Sequence, residues 1–297
     1  MVASLSEAAG LLALLEATPG PWPQVADAVE AAGTTASLVT ARSDAARAAE
    51  RWHVALERLF ADDPELGVVT VLDGDYPANL AQVFNRPPFL FVRGRLVPDD
   101  RRSLAIVGTR QPSDAGRRTT ADIAAALAGA GVTVVSGLAR GLDTDAHTAA
   151  VAAGGRTIAV LGSGIRHVYP PENTELARCI VRSGAMVSQF WPDAPPSRTS
   201  FPRRNVVTSG IALATLVVEA SADSGARMQA RLAREHGRRV FLVDSLARSE
   251  AWASALVDQG QATVVGGVRD VLPTLDRLLE ERGRDPGRLG SRQLRLL

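Results

Sequence analysis

Phe201-Pro202-Arg203-Arg204-Asn205 joins an aromatic face to two guanidinium groups. Single-strand nucleic-acid binders use that pairing to stack a base and neutralise a phosphate. Four other segments carry related groups. Gly108-Thr109-Arg110-Gln111-Pro112-Ser113 offers main-chain, hydroxyl and guanidinium donors to one phosphate. In Ser136-Gly137-Leu138-Ala139-Arg140-Gly141-Leu142-Asp143, two glycines permit close backbone approach to a ligand, and Asp143 is placed to cap the following helix. Gly162-Ser163-Gly164 is a partial dinucleotide loop, with His167 standing where a third glycine would be. Ser224-Gly225, after Glu219, falls at a helix start, where free N–H groups favour an anion.

Other chemistries fare worse. Asp143 and Asp145 have the residue types of a metal or acid–base pair, but capping and solvation of a first helical turn explain them better. His147 reads as a packed, hydrogen-bonded histidine, with no nucleophile nearby in sequence. Glu219 is either a base or an anchor for a neighbouring loop through main-chain N–H groups, and the structural role is preferred. All 33 basic residues are Arg. Without Lys, P-loop and Schiff-base mechanisms are excluded. No G-x-S-x-G elbow occurs, which disfavours a serine hydrolase. The single Cys179 excludes an internal disulfide framework and an all-Cys zinc site. The expectation is no catalytic set, no metal and no cofactor.

The elements that must position these loops alternate. Short apolar runs at Leu104–Val107, Val132–Val135, Thr157–Leu161, Ala185–Val187, Thr215–Val218 and Val240–Val243 read as buried strands, with a further one at Ala262–Val265. Helical patterns near 116–130, 143–153, 172–183, 223–236 and 250–259 separate most of them. The expected fold is α/β, a doubly wound and mostly parallel sheet with helices on both faces. Its ligands should sit at the carboxyl ends of the strands. Residues 1–65 read as a small helical domain, with Ser6 capping a first helix that Gly20-Pro21-Trp22-Pro23 ends. The sheet domain is expected over 66–280, with strands also at 67–72 and 88–94. The polar stretch Pro98–Arg102 marks a joint, placing the core of this domain from about residue 96. Residues 281–297 read as a frayed Arg- and Gly-rich tail.

Charge divides the chain in the same way. Residues 1–100 hold 7 Arg against 14 Asp and Glu, and the remainder 26 against 18, so the 297-residue chain totals only +1. A basic second unit suits an anionic partner. No signal peptide and no run of 18 apolar residues is found, so a soluble, cytoplasmic protein without a membrane partner is expected.

Taken in order, the loops resemble the DprA/Smf family, the DNA-processing proteins of bacterial transformation. The resemblance rests on Ile106–Arg110, Val135–Asp143 with Ala146-His147, and Gly162-Ser163-Gly164 with Tyr169-Pro170. It continues through Phe201–Asn205 and Val217–Ala220 with Ser224-Gly225, covering roughly residues 75–245. It implies a Rossmann-like domain in a dimeric, non-enzymatic protein that binds single-stranded DNA and helps load the RecA recombinase. Arg110, Arg140, Arg203 and Arg204 would line a basic pocket, and Phe201 would pack against bases. Gly137, Gly141, Ser224 and Gly225 would shape the phosphate cradle, beside Gly108, Thr109, Ser136, Gly162, Ser163 and Asn205. The chain departs from the family pattern at Val206, where a second Arg is usual. Ala226-Arg227-Met228-Gln229 replaces an aliphatic, threonine-containing run, and Asp244-Ser245 and Glu250–Ser254 differ as well. These departures motivate a second reading, a nucleotide-sensing or antitoxin-like defence protein on the same fold. A nucleotide phosphoribohydrolase is the third, although its Pro-Gly-Gly-x-Gly-Thr motif is absent.

Overall fold

In a computed structural model of the chain, residues 4–18 and 20–284 are described. Four helices come first, α1 Leu5–Ala17, α2 Trp22–Ala32, α3 Ala36–Thr40 and α4 Ser43–Asp62. Ser4, not Ser6, caps α1. Its backbone is non-helical, with ψ 136°, and its hydroxyl accepts from the Glu7 N–H at 3.2 Å, which leaves Ser6 inside the first turn. The proline-rich turn both separates and starts helices, since Pro23 lies in the first turn of α2, where a missing N–H costs nothing.

The remainder is an alternation of strands and helices. The strands are β1 Leu66–Thr70, β2 Phe89–Gly94, β3 Ser103–Val107, β4 Thr133–Ser136, β5 Thr157–Val160, β6 Ala185–Ser188, β7 Ala214–Val217, β8 Arg239–Val243 and β9 Thr263–Val265. The helices are α5 Ala78–Ala81, α6 Asp114–Gly129, α7 Leu142–Ala152, α8 Thr174–Ser183, α9 Ser200–Ile211, α10 Gly225–Glu235, α11 Asp244–Ser249, α12 Ala251–Asp258 and α13 Val268–Arg284. All strands join one nine-stranded sheet in the order β1-β2-β6-β5-β4-β3-β7-β8-β9. The pairs from β6 through β9 are parallel, and β1 and β2 add antiparallel at the β6 edge.

The two-residue period of a strand explains the layers. Leu104 and Ile106 of β3 face α6 and α13 through Ile123, Leu127, Val271 and Leu275. Ala105 faces the other way, toward Val207 and Ile211 of α9. Val107 shares that second face with the alanine stripe Ala226, Ala230 and Ala233 of α10. With both faces covered, β3 to β7 need uninterrupted apolar runs, the pattern seen in the sequence. The N-terminal helices share an apolar cluster with Phe89 and Phe91 of β2 and Met186 of β6.

Two expectations change. The polar stretch at Pro98 is a single 3-10 turn, Pro98–Arg101, and the sheet already includes β1 and β2 before it. Phe91 pairs with Ser188 and Gly94 with Ala185, so the core of this unit begins well before residue 96. Residues 281–284 are not a frayed tail. They complete α13, a helix hidden in sequence by Pro273 inside it, and Arg282 donates to Asn79 Oδ1 at 3.1 Å. The rest of the expected tail, 285–297, lies outside the described residues. No helix among the described residues is long and apolar enough to cross a membrane.

Candidate functional site

The strand order reverses direction between β3 and β7, since β4, β5 and β6 follow on one side and β8 and β9 on the other. Loops leaving such neighbours diverge and leave a crevice at the carboxyl ends of the strands. A cavity of about 500 Å³ opens there, within the range of small-ligand sites.

Its front wall is the loop after β3. Thr109 N–H donates to the Glu219 carbonyl at 2.7 Å, and Ser113 N–H donates to Glu219 Oε2 at 3.0 Å. The Ser113 hydroxyl bonds the other carboxylate oxygen and also caps α6 by accepting from Gly116 N–H at 3.0 Å. Glu219 therefore anchors a loop, as expected, and is not among the cavity-lining groups. Arg110, at the rim, lays its guanidinium over the Phe201 ring, 5.4 Å from its centroid. Tyr169 lies beyond, its ring 6.2 Å from that of Phe201.

The loop after β4 forms the floor, and it is fixed from every side. Asp143 does not cap its own helix, which begins at Leu142 after Gly141. It is buried and accepts instead from Gly137 N–H at 3.1 Å and Ala139 N–H at 3.4 Å. Asn173 donates to the Leu138 carbonyl at 2.9 Å, and Thr144 to that of Ala139 at 2.7 Å. Leu138 is thereby held at φ 56°, unusual for a residue with a Cβ. Gly141 has φ 80°, and a Cβ there would meet the Thr109 carbonyl oxygen at 2.4 Å, so this position admits only glycine.

Arg204, on α9, projects through this floor. It is buried, donates to the Val160 carbonyl at 3.0 Å, and lies so close over Gly137 that a Cβ there would fall 1.4 Å from Nη1. Burial lowers the guanidinium pKa, the Asp143 charge opposes that shift, and Arg110 adds to it. Burial likewise pushes the Asp143 carboxyl up, against the pull of Arg204. The back wall is the start of α10, where Ser224 caps the helix by accepting from Ala226 N–H at 3.0 Å.

The cavity thus brings together Gly108, Thr109, Arg110, Phe201, Arg204, Asn205, Ser224 and Gly225. Five expected residues stand behind it. Ser136 bonds the Ile106 carbonyl at 2.7 Å, and Ser163 that of His167 at 2.6 Å. Gly137 and Gly141 give room to Arg204 and Thr109, and Gly162 lies under the Phe201 ring. Two expected arginines point elsewhere. Arg140 is exposed and ion-paired to Glu172. Arg203 stacks on Trp22 at 5.1 Å and Phe190 at 5.4 Å, tying α9 to the N-terminal helices. His147 is fully buried, bonded to the Thr157 hydroxyl at 2.7 Å, and pushed down to about 3 by burial, so it stays neutral. Sequence reading missed Gln111, Thr208, Ser221, Met228 and Gln229, which also line the cavity. Thr208 lies one helical turn beyond Arg204, a spacing that puts both on one face. No group of three or more His, Cys, Asp or Glu residues is placed to hold a metal among the described residues.

A profile of the DNA recombination-mediator protein A family matches residues 67–276. The chain belongs to the DprA/Smf family. It is 39% identical to protein Smf of Synechocystis over 231 residues, 75% of this chain, and spans 58% of that protein's length. The X-ray structure of DNA processing protein A from Streptococcus pneumoniae superposes with a TM-score of 0.67 at 27% identity, covering 92% of this chain and 98% of the other. DNA processing protein A from Helicobacter pylori, whose structure concerns its single-stranded DNA binding mode, superposes with a TM-score of 0.62, covering 72% and 96%. At 24% identity that second likeness is one of fold. In this DprA/Smf chain, the motifs that carry the resemblance build the front wall and floor, whereas Ala226, Met228 and Gln229 line the back wall.

Proposed function

We propose that this chain is a single-stranded DNA-binding protein of DNA processing and recombination, and that the switch-point cavity is its DNA site. The observation that carries the reading is Arg110 laid over the Phe201 ring at the cavity rim, facing the N-terminus of α10. The ring with its guanidinium offers a base a stacking partner, and the same charge with helix N–H groups takes the adjoining phosphate. Duplex bases are already stacked and cannot reach such a ring, which favours the single strand. Within the resemblance, Gly108, Thr109, Asn205, Ser224 and Gly225 cradle phosphate, and Arg204 supplies buried charge. Arg140 and Arg203 act at most as outer contacts. Family membership supports the wider role, in which a cytoplasmic homodimer helps load RecA during natural transformation and acts by binding, not catalysis. The helical front (1–65) and the sheet unit (66–280) are taken as separate domains in this reading.

A free nucleotide is the second reading, favoured by a cavity volume that fits one nucleotide and by the altered segment 226–229. Fluorescence anisotropy with a labelled dT strand of about 20 nucleotides, beside a matched duplex, tests both. Salt-sensitive binding that prefers the single strand supports the first. Failure to bind at low salt, with tight binding of a mononucleotide, replaces it by the second.

A further inference from the structure

The buried stripe of α10 follows helical spacing through Ala226, Gln229, Ala230 and Ala233. Three of these are small and apolar, and the fourth carries an amide. Gln229 is only 2% exposed, and neither its Oε1 nor its Nε2 has a hydrogen-bond partner among the described residues. It is the one residue with two buried, unmet side-chain atoms among the described residues. The floor of the same cavity holds a third unmet atom, Nε of the buried Arg204. Buried polar atoms are almost always paired, so unmet ones that converge on one cavity call for a partner that enters it. Met228, exposed beside Gln229, is unbranched and flexible enough to move aside.

An amide presents one donor and one acceptor side by side. The hydrogen-bonding edge of a nucleobase presents the complementary pair, whereas a phosphate or sugar–phosphate backbone offers acceptors without the matched donor. We infer that Gln229 pairs with the edge of a nucleobase inserted into the cavity, making this chain's binding depend on the base as well as on the backbone. The inference rests on the proposed DNA site and adds a base-reading residue at its back wall.

Pentanucleotides with four abasic positions and one central base, set against a fully abasic strand, test this in anisotropy. Gln229→Met keeps the shape and removes both polar atoms. It is expected to weaken base-bearing strands by roughly 5- to 150-fold, the range for one bidentate contact, and to leave the abasic strand unchanged. Its melting temperature should equal or exceed the wild type's, because an unpaired buried amide has been removed. Gln229→Glu replaces the donor by a second acceptor and should select guanine, whose N1–H and N2–H are adjacent donors. Met-variant binding as tight as wild type on base-bearing strands overturns the inference. So does a Glu variant that loses affinity equally for all four bases. Failure of the wild type to bind any strand would instead remove the underlying DNA reading, and is seen before any variant is made.

Discussion

The two halves of the cavity are built to opposite standards. In the floor and front wall, the polar groups that shape the loops are engaged. Asp143 holds two amides of the β4 loop, Asn173 and Thr144 hold two of its carbonyls, and Glu219 holds the β3 loop. The back wall at α10 has one capping hydroxyl, an exposed Met228 and an amide with nothing to bond. A loop fixed by so many bonds can keep Leu138 in a left-handed conformation and Arg204 out of water, because neither can relax without breaking several contacts. The contrast teaches that the first half is fixed by its own hydrogen bonds, whereas the second leaves the Gln229 amide unmet.

Breaking the ordered half should have the largest effect. Arg204→Ala strands the Asp143 carboxyl in a buried site without its cation, and urea unfolding should show a loss of about 3–5 kcal/mol. A loss within error would mean that the floor does not depend on that charge. Gly141→Ala forces a Cβ onto the Thr109 carbonyl at an unfavourable φ, and should cost about 3 kcal/mol in the same assay. The contrast between the walls predicts that Gly225→Ala, where a Cβ meets nothing within 4 Å, changes stability far less.

That asymmetry also decides what was legible in the sequence. The strands were visible because a sheet covered on both faces demands short apolar runs, and the β3 and β4 loops because glycine and arginine at strand ends have few other uses. The anchoring role of Glu219 followed from its place at the end of β7. What escaped depended on contacts across the chain. Arg203 reads like its neighbour Arg204, yet it stacks on Trp22 from a helix 181 positions away (203 − 22), which no local pattern records. Asp143 looked like a cap because caps are local, whereas its true partners lie four and six residues back in the loop it closes. Gln229 looked like a departure from a family pattern, and only its burial without partners gives it meaning.

Smaller effects sharpen the comparison. Phe201→Ala removes the ring at the rim without touching the floor, and should weaken single-strand binding by about 1–3 kcal/mol with little change in unfolding. Equal losses in both assays would make Phe201 a packing residue. Acid should act on the ordered half through His147. Its native pKa, near 3, lies below the unfolded value of about 6.5, so the unfolded chain binds the extra proton between those values. Its contribution is fully present above about pH 6.5 and falls by up to about 1.4 kcal/mol per pH unit below it. His147→Gln should flatten the pH dependence of unfolding over that window, and an unchanged slope would contradict neutral burial.

The most direct test of the central claim compares wild type with Arg110→Ala in salt titrations of single-strand binding. Arg110 lines the cavity rim and its guanidinium lies over Phe201, so its loss should leave the fold intact. The account predicts weaker binding and a log–log salt slope shallower by about 0.7, the value for one phosphate contact on a single strand. An affinity and slope identical to wild type would place the DNA elsewhere on the molecule.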